Sequence, residues 1–121
     1  MNERAAEILT EQFGGNLWER HGHRRVYFEG AAIAQRQGLT WENYNSGNIC
    51  AAWLDGERIS NSEAKRILQG FQWHKIWFDL NSGQFATKGV GYQSEIEYPA
   101  CRRMYEQFVA DVLVAIAEEE S

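Results

Sequence analysis

Hydrophobic positions along this chain switch repeatedly between a helical and a strand period. Residues 3–13 place Ala5, Ile8, Leu9 and Phe13 on one helical face, with Asn2 as an expected N-cap and Gly14-Gly15 as the stop. Residues 16–29 then alternate, broken at His21-Gly22-His23, and predict a hairpin. A Gly22-His23 turn would set Arg20 against Arg25, a like-charge pair. A three-residue turn sets Glu19 against Arg25 and is the expected register. AAIAQRQ, residues 31–37, predicts a short helix closed by Gly38, followed by an irregular connection through LTWENYNSGN. Residues 48–60 alternate around Asp55-Gly56, the strongest hairpin signal in the chain. That hairpin sets Trp53 opposite Arg58 as a cation–π pair. SNSEAKRILQG predicts a helix with Ser60 and Glu63 at capping-box spacing, Ala64, Ile67 and Leu68 inward, and Gly70 as the stop.

The stretch FQWHKIWFDLNSGQF, residues 71–85, reads as a ten-residue strand, an Asn-Ser-Gly turn and the start of a return strand. Alternation puts Gln72, His74, Ile76, Phe78 and Leu80 on one face and Phe71, Trp73, Lys75, Trp77 and Asp79 on the other. Both faces carry large apolar groups, so the strand is expected at the centre of a sheet. Helices are expected over the Ile76/Phe78/Leu80 face. The tryptophan face is left for something else. Finally Cys101, Met104, Tyr105, Phe108, Val109, Val112, Leu113 and Ile116 form a helical stripe, with Pro99 in the first turn. The acidic end at residues 118–120 opposes the helix dipole and is expected to fray. The order is helix then hairpin, three times, with a closing helix. It predicts an α+β fold: an antiparallel sheet of five to six strands built from hairpins, with a long C-terminal helix packed across one face, all within a single domain spanning residues 1–121.

Composition narrows this picture. With 44% hydrophobic and 13% aromatic residues, the chain can bury one core. A net charge of −5 lacks the footprint of a general nucleic-acid binder. The two cysteines, Cys50 and Cys101, have no metal-site spacing and are expected as reduced thiols in a cytoplasmic protein. The charged, amphipathic start has no signal-peptide pattern, and no run approaches the roughly eighteen apolar residues of a membrane span.

Candidate chemistry is mostly recognition chemistry. Trp73, Lys75 and Trp77 share a predicted strand face, and Trp18, Arg24, Arg25, Trp53 and Arg58 lie on neighbouring hairpins. Tyr27, Trp41 and Tyr44 add further aromatic groups. Tryptophan with arginine is the composition of interface hot spots and of base-stacking sites. Lys88, Gly89, Gly91 and Ser94 form a glycine-containing loop before a helix, a place where backbone N–H groups can meet an anion. His21 and His23 share a turn with no metal-ligand partner nearby, and His74 and Asp79 fall on opposite faces of one strand. No catalytic residue, cofactor or metal is assigned.

RRVYF, DGERISNSEAKRIL and KIWFDLNSGQF together resemble small proteins of phages and bacterial mobile elements that carry no settled function, over residues 16–90. The resemblance carries over no functional residue. It implies a non-enzymatic protein that blocks a host system by binding a defence component or its signal. The expectation is therefore a cytoplasmic binding protein, oligomeric through its aromatic sheet face, that occludes a host protein. A nucleotide-binding protein that sequesters a small signalling nucleotide is the alternative. A small hydrolase or nuclease using His21, His23 or His74 is a third.

Overall fold

A computed structural model describes residues 2–89 and 95–120. Helix α1 (Asn2–Glu7) runs on as a π-helical turn, Ile8–Gln12. It is followed by β1 (Asn16–Arg20), β2 (His23–Phe28), α2 (Gly30–Arg36), β3 (Leu39–Asn43), β4 (Ile49–Leu54) and β5 (Glu57–Ile59). Then come α3 (Asn61–Gln72), β6 (His74–Asp79), β7 (Gln84–Gly89) and α4 (Pro99–Glu120). The α+β class and the antiparallel pairing stand as expected, but the strands divide between two sheets. One has four strands in the order β1-β2-β6-β7 and the other three in the order β3-β4-β5. The division has a local cause. LTWEN, expected to be irregular, is strand β3, which sets Trp41 against Ala52 and Leu39 against Leu54. The middle hairpin thus has a third strand at its other edge and forms its own sheet.

The core lies between the inner faces of the two sheets and the helices. Val26, Ile76, Ile33, Leu39, Ala52, Ala64, Ile67, Cys101 and Val112 are all fully enclosed in one cluster that draws on both sheets. Helix α4 crosses the inner face of the four-stranded sheet. Phe108 packs edge-on against Phe28 at 5.0 Å and against Phe85 at 6.0 Å between ring centroids. The acidic end of α4 stays helical through Glu120 rather than fraying. Arg4 holds it there, with its guanidinium 2.8 Å from Glu119 and 2.8 Å from Glu7.

Three local departures from the expected pattern have clear causes. The first hairpin turns on two residues, His21 and Gly22, both with positive φ (52° and 81°), so Trp18 faces Arg25, Glu19 faces Arg24 and Arg20 faces His23. This register avoids the Arg20–Arg25 clash and does not need the three-residue turn. The third helix passes through Gly70 to Gln72, so Phe71 and Gln72 are helical and Trp73 caps the helix instead of starting a strand. Gly70 is a close-contact residue here: a Cβ at that position would lie 2.6 Å from the Cys101 sulfur and 3.2 Å from Tyr98 Cβ. The Ser60 hydroxyl caps α3 by accepting from the Glu63 N–H at 3.0 Å. The Glu63 carboxylate does not close the capping box. It accepts instead from the Tyr98 hydroxyl at 2.6 Å, which ties α3 to the start of α4.

An open aromatic and cationic sheet face

Pairing in the four-stranded sheet fixes which side chains share a face. Arg25 lies opposite both Trp18 and Asp79, Tyr27 opposite Trp77, Trp77 opposite Ala86, and Lys75 opposite Lys88. These residues form the face turned away from α4, because Val26, Phe28, Ile76, Phe78 and Phe85 point the other way into the core. Its members are partly or fully exposed, from half-buried Trp77 and Arg25 to Trp18 at 37% exposure.

An ordered ladder of side chains occupies the centre of that face. The Arg25 guanidinium lies 4.8 Å from the Trp77 ring centroid and 5.6 Å from that of Trp18. It also donates to the Tyr27 hydroxyl at 3.0 Å. Tyr27 in turn contacts Trp77 at 5.7 Å and Trp18 edge-on at 6.2 Å. Arg25 Nε is buried with no hydrogen-bond partner among the described residues. Asp79, directly opposite, does not neutralise Arg25. Its carboxylate accepts from the backbone N–H groups of Asn81 and Ser82 and shapes the β6–β7 turn.

The cations of this face differ from Arg24, one residue away on the inner side. Arg24 pairs with Glu3 at 3.1 Å and Glu19 at 3.5 Å. Arg20, Arg25, Lys75 and Lys88 have no ion-pair partner among the described residues. Lys75 and Lys88 form a directly opposed like-charge pair, an arrangement that costs stability on its own. Among the outward positions of the four strands, Asp79 is the only carboxylate.

At the Lys75 end the face runs into a groove of about 500 Å³. Tyr27, Trp41, Phe71, Lys75 and His74 line it, with Glu29 on its wall. Trp41 reaches it because β3 is a strand whose inner side carries that indole. The His74 ring is held by an Nε2 contact to the Glu95 carbonyl at 2.9 Å, so Nε2 carries the proton. Its Nδ1 is buried and has no partner among the described residues.

The expected site residues therefore separate. Trp18, Arg25, Lys75 and Trp77 come together, and Lys88 joins them. Trp73 stands at the end of α3, 57% exposed and off the strand. Arg24 faces inward. Trp53 and Arg58 pair across β4–β5 as expected, at 5.5 Å, but on the other sheet. Gly89 ends β7. Gly91 and Ser94 lie outside the described residues. Tyr27 and Trp41, expected only as further aromatic groups near the hairpins, meet at the groove. The signal for Tyr27 was strand parity with Trp18 and Arg25, legible only with the two-residue turn.

Other chemistry is sparse. No group of three His, Cys, Asp or Glu residues that could hold a metal occurs among the described residues. Both cysteines are free. The Cys101 thiol donates to the Ile67 carbonyl at 3.0 Å, and burial, reinforced by Glu63, pushes it up to about 12. It is a packing group, not a nucleophile at neutral pH. No helix among the described residues is long and apolar enough to cross a membrane. Comparison with protein-family models, with curated proteins and with solved structures gives no match, so the site is read from its own chemistry.

Proposed function

We propose that this chain is a non-catalytic binding protein whose contact surface is the open face of its four-stranded sheet, and that it acts by occlusion. The observation that carries this reading is the Trp18–Arg25–Tyr27–Trp77 ladder. It is assembled before any partner arrives, on the sheet face turned away from α4. Rigid aromatic groups with an embedded arginine lose little conformational entropy on binding, which is why such groups dominate hot spots. The unpaired cations around the ladder favour a partner that brings negative charge. The resemblance to small phage and mobile-element proteins supports a partner within a host defence system. Self-association through this face fits less well. A two-fold axis would bring the same patch from each copy together and stack unpaired cations against each other.

Intact mass spectrometry under native conditions tests this on protein purified from the organism that encodes it. The chain should carry a bound mass. Trp77→Ala and Arg25→Ala should each lose it while keeping the wild-type circular dichroism spectrum. A bound mass retained by both variants would overturn the assignment of the face.

A further inference from the structure

We infer that the ligand of this face is single-stranded nucleic acid, with unpaired bases on the Trp18–Arg25–Trp77 ladder and in the Tyr27/Trp41 groove, and phosphates on Lys75 and Lys88. This inference rests on the reading of the face as the contact surface and adds the chemistry of what it takes.

Charge is the first argument. The chain carries −5 overall, yet the outer sheet face holds Arg20, Arg25, Lys75 and Lys88 against one strand carboxylate, Asp79, whose oxygen is already engaged by its own turn, with Glu29 on the wall of the adjoining groove. An acidic protein that gathers unneutralised cations on one face has segregated its charge, and net charge then hides the footprint. The opposed lysines sharpen this. Nothing among the described residues compensates their repulsion, whereas a phosphate placed between them would.

Size is the second. Four strands about 4.8 Å apart and about six residues long, at ~3.3 Å per residue, make a face of roughly 20 by 20 Å. That is close to 400 Å², about half of the ~800 Å² each partner contributes to an ordinary protein–protein interface. It is sufficient for the two or three bases that an open four-stranded sheet with exposed aromatic groups typically stacks.

Spacing is the third. Arg20 lies level with His23, two residues beyond Arg25, while Lys75 lies four residues beyond Asp79 in the opposite direction. The two cationic ends are thus about 20 Å apart along the strands, with the aromatic ladder between them. A chain of nucleotides reaches both ends. A single nucleotide reaches only one. Bases stack on guanidinium planes as well as on indoles, so Arg25 belongs to the platform even while it rests on Trp77.

Tryptophan fluorescence of the full chain, titrated with an oligothymidine of about eight nucleotides at low salt, tests the proposal. Saturable quenching is expected, with affinity falling steeply as salt rises. The double variant Lys75→Gln/Lys88→Gln should bind about tenfold more weakly with a shallower salt slope. It should also melt no lower than wild type, because a repulsive pair has been removed. Trp53→Ala, on the other sheet, should bind normally. No saturable quenching, binding untouched by the double variant, or equal affinity for a duplex of the same length would each overturn the inference. Thymidine monophosphate binding as tightly as the oligomer would overturn it in favour of a small nucleotide. Binding of poly-glutamate but not of the oligomer, lost in the same double variant, would overturn the nucleic-acid inference while leaving the contact face standing.

Discussion

The two faces of the four-stranded sheet are built from the same strands and carry nearly the same kinds of side chain. Inside, Phe28 and Phe85 meet Phe108 of α4, Phe78 packs on Phe85, and the strand cation on that side, Arg24, is paired twice. Outside, Tyr27, Trp77 and Trp18 meet one another and Arg25, and the cations have no ion-pair partner among the described residues. Aromatic content therefore does not distinguish core from contact surface in this protein. What distinguishes them is whether their cations are ion-paired among the described residues. On the inner face Arg24 is paired and the edge residue His74 keeps a buried Nδ1 without a partner among the described residues, whereas the outer face leaves a guanidinium Nε without one and sets two lysines directly opposite each other.

That contrast can be broken by substitution. The largest effect belongs to the inner face. Phe108→Ala opens a cavity among the rings of Phe13, Phe28 and Phe85 and should cost about 3–5 kcal/mol by denaturant unfolding, with binding lost only as the fold is lost. Trp77→Ala on the outer face should cost about 1–2 kcal/mol, from partial burial and the Arg25 contact, yet abolish binding under conditions where the chain remains folded. If Trp77→Ala proved as destabilising as Phe108→Ala, the outer face would be core after all. Arg58→Ala removes a cation–π pair of the same geometry from the other sheet. It should change stability by about 1 kcal/mol or less and leave binding intact.

The smallest effect concerns the exposed clamp that holds the end of α4. Hydrogen bonding to Arg4, and then its charge, hold the Glu119 carboxyl below its ordinary range. A lowered folded-state value means the contact stabilises above the unfolded carboxyl's titration and is lost as pH falls through the folded one. Glu119→Gln should therefore lower the melting temperature slightly at neutral pH and match wild type in acid.

How legible this was varied with how local each determinant is. Asp55-Gly56 specified its hairpin and the Trp53–Arg58 pairing outright, because a two-residue turn with positive φ fixes the register of everything beyond it. The helical stripe of α4 and the Ser60 cap were equally readable. His21-Gly22 is less legible because His-Gly is not one of the Asn-Gly or Asp-Gly pairs that mark a two-residue turn, so a three-residue turn is the expectation there. Trp73 failed because Gly70 looks like a helix stop. Only the approach of Cys101 and Tyr98 shows that glycine there makes room for α4 and lets the helix continue.

The sequence by itself determined the α+β class, most of the elements and the residue types that recognition would use, since periodicity, caps and turn residues act within a few positions of themselves. Tertiary structure alone decided that the strands divide between two sheets, that Arg24 is neutralised while Arg25 is not, and that Tyr27 and Trp41 meet at one groove. Those outcomes depend on registers and on strand neighbours distant in the chain. A shift of one residue in pairing exchanges the covered face of a sheet for the open one.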